Sequence, residues 1–360
     1  MLKLNYLRRH FYFIACVSVA LCAMQLYASE TLDSKSDELI PAVEGKKAIA
    51  ADGDSDTKIK IELSKLGNDF ISFIRTKRWR DAENKVQEIR KLSGDSVEYN
   101  YFKAAYLYST GDFQKPIEFL NRAIELNPNH DPSYYLLGMI FGKFRNWVKS
   151  SYYLEIAAAK GTYNPFYQYN LAVTYFMKKD YASAKLSAEK TIELKDNYHA
   201  AKILLIRSLM KLGNMEDALA LCERYENEKL NSEIFLELYA SVLFDSKKKY
   251  SKVITLLSKM KNLKTESRRN LGYSLFVESR FVEALNIYRQ IFQSGFELEK
   301  DFPVYLQVLI RLEKDSDAEN FVLNWIKKFP QEKEKILEFY QNLLDERDVF
   351  GSMYKPIPWR

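Results

Sequence analysis

An all-α fold of stacked helical hairpins is predicted by three features of this 360-residue sequence. Residues 131–198 contain one pattern twice, 34 residues apart: DPSYYLLGMIFGKFRNWVKSSYYLEIAAAKGTYN, then PFYQYNLAVTYFMKKDYASAKLSAEKTIELKDNY. Within each copy the apolar residues recur at helical spacing in two runs of about a dozen residues, with a turn-forming stretch between them. Large and small residues also keep register: Leu137-Gly138 falls on Leu171-Ala172, Phe141 on Tyr175, Trp147 on Tyr181, Ser150 on Ala184 and Ala157 on Thr191. Each copy therefore reads as two short antiparallel helices, with Gly138, Ala172, Ser150 and Ala184 where the axes come closest.

A lone hairpin of this size cannot stand. Ordering each residue costs roughly 1.5 kcal/mol, whereas burying a large apolar side chain returns only about 1.5 to 3. Stacking on neighbours supplies the missing burial. The period, the Leu-small pair in the first helix and the small residue followed by large ones in the second resemble the tetratricopeptide repeat. That resemblance implies a right-handed superhelical solenoid of about eight helix-turn-helix units with a C-terminal capping helix.

In chain order, residues 1–28 carry Lys3, Arg8 and Arg9, an uncharged apolar run from Phe11 to Met24, and Ala28-Ser29 just after it. A basic start, a short apolar core and small residues describe a secretory signal peptide, with cleavage near Ala28. The run falls short of a membrane span of about 20 residues; retention as an inner-membrane anchor is the alternative. Residues 29–58 form an acidic spacer with no aromatic residue, too polar to order itself, and serve as a tether or a docking segment.

Residues 59–347 are read as the solenoid. The unit from Leu63 is degenerate, with Phe70, Trp79 and Ala82; the unit from Val97 is close to the family pattern, with Gly111-Asp112-Phe113 and Asn127-Pro128. Pro116 stands where the family has a small residue, and reads as a tolerated early-helix proline because the missing N–H is one of the first-turn orphans. After the two central copies come units from His199, from about Ile234 with Lys247-Lys248-Lys249 in its turn, from Thr265 and from Glu299. The array is expected to run without an internal boundary, its lysine turn the expected bend. Glu332 to Arg347 reads as the cap, with Ile336, Phe339, Tyr340, Leu343 and Leu344 on one side. Residues 348–360 are a Pro-interrupted aromatic tail, either frayed or a short docking motif.

Several function classes are excluded. The formal net charge is +6 and falls to +3 when Lys3, Arg8 and Arg9 leave. Basic residues are interleaved with acidic ones, so there is no nucleic-acid stripe. Cys16 and Cys22 leave with the leader, and Cys222 alone cannot make an internal disulfide. His130 and His199 sit at turns without Cys or His at metal spacing, and GxxxxGK, GxSxG and HExxH are absent. No enzyme, metal or cofactor is expected.

In the family, first helices line a concave groove, and the resemblance implies that the second, fifth, ninth, twelfth and thirteenth positions of each unit point into it. On this chain those positions give Phe102, Tyr108, Tyr135 and Met139, then Phe166, Tyr169, Val173, Phe176 and Met177. Ile203, Arg207, Met210, Leu238, Val242, Tyr273 and Phe276 follow. An aromatic, methionine-rich groove with few charges suits an apolar peptide or helix, although the same spacing also describes core. The expectation is an exported scaffold or adaptor in the bacterial cell envelope, most simply the periplasm. Its partners would be proteins or peptides of envelope or membrane complexes, with membrane association if the leader is retained. The competing class is a hydrophobic-solute or glycan binder, with a closed pocket ringed by Tyr135, Tyr169 and Phe176.

Overall fold

The computed structural model describes residues 55–350 apart from 248 and 296–298, and among the described residues there are seventeen α-helices and no strand. The leader and almost all of the acidic spacer lie outside the described residues, as does the tail beyond residue 350. In sequence the helices follow as eight helix-turn-helix units: α1 (Ser55–Arg75) with α2 (Trp79–Ser93), α3 (Val97–Ser109) with α4 (Lys115–Leu126), α5 (Asp131–Lys143) with α6 (Trp147–Lys160), and α7 (Pro165–Met177) with α8 (Tyr181–Leu194). Then follow α9 (His199–Lys211) with α10 (Met215–Asn227), α11 (Glu233–Asp245) with α12 (Tyr250–Leu257), α13 (Thr265–Val277) with α14 (Phe281–Gln293), and α15 (Asp301–Arg311) with α16 (Asp315–Lys328). A short 3-10 turn, Pro330–Glu332, leads into α17 (Lys333–Phe350). Helix α1 starts four residues inside the stretch expected to be spacer, and α17 continues three residues past the expected cap.

The period is written in the backbone. Lys77, Gly111, Arg145, Lys179, Gly213 and Lys247 all have positive φ at 34-residue spacing, and Ser279 and Glu313 follow after steps of 32 and 34. In each of the turns at 77, 111, 145 and 179 the following N–H reaches back five residues: Arg78 to Phe73 at 2.8 Å, and Asp112 to Leu107, Asn146 to Phe141 and Asp180 to Tyr175 at 2.9 Å. This is the Schellman ending, which satisfies carbonyls that the helix would otherwise leave open. The next residue starts the second helix: Asn146 and Asp180 accept the amides of Lys149 and Ser183 at 3.1 Å. Pro116 sits in the first turn of α4, as its missing N–H allows.

Close approach within hairpins is set by small residues. A Cβ on Gly138 would stand 2.5 Å from Leu154 Cγ. The buried Ser150 hydroxyl donates to the Gly138 carbonyl at 2.8 Å. Ala172 and Ala184 are fully buried.

The described residues divide into two compact units, with the division between Ser208 and Leu209. An uninterrupted array was expected; because the left-handed turn positions keep their 34-residue spacing from 179 to 247, the period carries no mark of the division. In the first unit, Leu66, Phe70, Val86, Ile89, Tyr101, Leu120, Leu137 and Ile140 make one continuous core. In the second, α15 is buried from Asp301 to Ile310. Phe302 stacks on Trp325 at 5.1 Å, and Asp301 pairs with the nearly buried Arg269 at 2.8 Å. Helix α17 covers this end with Ile336, Phe339 and Leu343 buried.

Candidate functional site

Six of the expected groove residues are core. Phe102 is 3% exposed, edge-on to Phe70 at 5.1 Å, and reaches the space left by Gly67, so α1 covers it. Tyr135 is 2% exposed: Tyr167 of α7 stacks on it at 4.8 Å and the Asn170 amide donates to its hydroxyl at 3.1 Å. Tyr108 is closed off by Phe113 at 5.4 Å. Leu238 is buried in α11 and Phe276 in α13, and Val242 is buried beside them in sequence position. At Phe102 and Tyr135 the neighbouring helix supplies the contact that a partner would have to supply. Burial of Tyr135 also removes one wall of the solute pocket that Tyr135, Tyr169 and Phe176 were expected to ring.

Met139, Tyr169, Val173, Phe176, Ile203, Arg207, Met210 and Tyr273 remain partly exposed. Met210 and Tyr273 belong to the second unit, where Tyr273 packs between Phe244 at 5.6 Å and Tyr250 at 6.0 Å. The other six are in the first unit, on three consecutive first helices. Met139, Val173 and Arg207 hold the ninth position at 34-residue spacing, and Tyr169 and Ile203 hold the fifth. Phe166 and Met177 of α7 are half-buried too.

One shaping residue was not legible. Tyr198, immediately before α9, is buried and leans on Tyr169 at 4.9 Å and Phe166 at 5.9 Å. Lys195 lies over both Tyr198 and Phe166 at 5.4 Å, a cation–π arrangement. A tyrosine just ahead of a first helix, where His130 stands two periods earlier, is the available sequence signal; His130 likewise packs on Tyr101 at 5.2 Å.

The strip has little titratable chemistry. Burial raises the Tyr167 hydroxyl far above the ordinary tyrosine range, with Asp131 beside it adding to the rise. Burial lowers the His130 imidazole and pushes the Cys222 thiol up to about 12. Among the described residues no three His, Cys, Asp or Glu side chains gather as a metal site, and no helix is long and apolar enough to cross a membrane.

Residues 70–131 match the tetratricopeptide repeat family. No curated protein matches the chain. Among solved structures, the chain is similar to one from the Naa15/Naa10 complex bound to HypK-THB, at 15% identity and TM-score 0.44, covering 78% of this chain and 45% of that one. The chain thus spans less than half of that relative's length. It is also similar to YrrB, described as a TPR protein with an unusual peptide-binding site, at 16% identity and TM-score 0.43 over 48% of this chain and 89% of that one. PilF of Pseudomonas aeruginosa overlaps at 12% identity and TM-score 0.48, over 57% and 90%. Residues 70–131 are thus a tetratricopeptide-repeat segment, and helix-turn-helix units of the same form return through the other described residues.

Proposed function

We propose that the protein is a binding scaffold whose first unit holds an apolar partner segment along Met139, Tyr169, Val173, Phe176, Ile203 and Arg207. The observation that supports this is their recurrence as partly exposed side chains on three consecutive first helices, on hairpins whose family uses such faces for binding. Aromatic rings offer large contact area at small entropic cost, and methionine adapts to the shape it meets. Arg207, the one cation of the strip, is placed to fix the direction of the bound segment. Binding is the whole mechanism, since the strip presents no acid–base pair.

The compartment belongs to the same proposal. The basic, apolar, then small-residue order of residues 1–28 supports export to the cell envelope, most simply the periplasm, with envelope or membrane-complex proteins as partners. N-terminal sequencing of the mature protein tests export: a chain starting near Ser29 supports it, and an intact Met1 in the soluble cytoplasmic fraction contradicts it. Selection of peptides from a displayed library tests the strip. Wild-type protein should enrich apolar segments that the Tyr169→Ala, Phe176→Ala double variant fails to enrich; equal enrichment by both would contradict the assignment.

A further inference from the structure

The second helices of the hairpins are 12 to 15 residues long, except α12, which stops after 8 at Leu257. The missing turns leave a gap between α12, α13 and α14 inside the second unit, a cavity of about 370 Å³. Its floor is Leu257, Leu271 and Leu275, all buried, and its walls are Met260, Leu263 and Ile287. The volume is at the lower end of small-molecule pockets, about 300 to 1,000 Å³. That admits one slender ligand and excludes a folded element.

The mouth has a definite charge. The chain that replaces the missing helix, residues 258–264, carries Lys259, Lys261 and Lys264 and no acidic residue. Lys261 and Arg268 line the cavity, and neither has a carboxylate partner among the described residues; Arg268 spends one N–H on the Leu263 carbonyl at 3.2 Å. Their neighbours are paired: Lys264 with Glu237 at 3.2 Å, and Arg269 with Asp301 and Glu266. The lining carboxylate, Glu283, is held by two hydrogen bonds of 2.7 Å from Arg280, which cancels its charge. An apolar floor below two unneutralised cations selects an apolar chain with an anionic head.

We infer that this cavity binds an aliphatic carboxylate, its chain on the leucine floor and its head against Arg268 and Lys261. The site lies in the second unit and does not depend on the first-unit strip.

Calorimetric titration of the full chain with decanoate, and with decanol as the uncharged control, tests the inference. Decanoate should bind saturably at one per chain and decanol at least tenfold more weakly. Replacing Arg268 and Lys261 by Ala should bring decanoate down to the level of decanol, and Asn286→Trp, at the exposed mouth, should abolish uptake while the helical circular dichroism stays unchanged. Gln290→Trp serves the same purpose if Asn286→Trp unfolds. Tyr169→Ala with Phe176→Ala should leave decanoate binding intact, which separates this site from the strip. Absence of saturable decanoate binding, equal affinity for decanol, or uptake unaffected by the tryptophans would overturn it. Binding of a leucine-terminated peptide but not decanoate would overturn it too.

Discussion

Tyr135 and Tyr169 occupy the same position of consecutive repeats, 34 residues apart, yet Tyr135 is sealed under Tyr167 at 4.8 Å while Tyr169 stays partly exposed beside Tyr198 at 4.9 Å. One is core and the other is surface, and substitution should tell them apart. Tyr135→Ala should cost about 3 kcal/mol or more, as large-to-small changes of buried aromatics do. Tyr169→Ala and Phe176→Ala should each cost about 1 kcal/mol, the worth of an aromatic contact at a half-buried site. Urea unfolding of the three variants measures the contrast, and equal losses would place Tyr169 in the core.

Left-handed turn residues other than glycine carry strain. Lys179 at φ 66° and Arg145 at φ 57° end their helices where Gly111 and Gly213 end others. Left-handed backbone costs a residue with a Cβ roughly 1 kcal/mol, so Lys179→Gly should raise stability by a few tenths to about 1 kcal/mol, and Gly111→Ala should lower it by a similar amount. Thermal melting of the two single variants reads both signs. A fall on Lys179→Gly would mean that its side chain, not its backbone, matters there.

The pair Gly138 and Leu154 fixes how closely α5 and α6 pack. A side chain at 138 would meet Leu154 and the backbone amide of Leu154 at 3.3 Å. Gly138→Val should therefore destabilise by about 1 to 3 kcal/mol, the usual cost of overpacking. Gly138→Val melting like wild type would contradict the close approach.

His130 gives a pH signature. Its imidazole is packed against Tyr101, its Nδ1 is 2.8 Å from the Ser133 hydroxyl, and burial lowers its pKa despite Asp131 and Glu98. The unfolded chain then holds more protons than the folded one in the window between the lowered value and the ordinary value of about 6.5. Its stabilising effect is complete above that ordinary value and is lost as the pH falls through the window. The melting temperature of wild type should drop over that range by more than that of His130→Asn; parallel profiles would show that the imidazole titrates alike in both states.

Much of this fold is legible in the sequence, for a physical reason. Hairpins that bury only against their neighbours repeat the same packing, so Gly138, Ala172, Ser150 and Ala184 show their role as small residues in register. The turn signature is legible only where glycine supplies it, at Gly111 and Gly213. Lysine and arginine at the equivalent positions disguise it. The candidate strip was half legible: spacing names the face of a helix, but whether Phe102 or Val173 on that face is covered depends on the bulk of the adjacent hairpin, which spacing does not contain. The cavity in the second unit was not legible, because a helix that ends at Leu257 leaves no gap in the apolar pattern of residues 253–257.

The central claim is that the half-exposed strip of the first unit holds a partner, and site-specific photocrosslinking in the native host tests it most directly. A photoreactive residue at Val173 should give a discrete adduct, abolished by Tyr169→Ala with Phe176→Ala. The same probe at Leu186, exposed on second helix α8, should give none. No adduct from Val173, or the same adducts from both positions, would contradict the account.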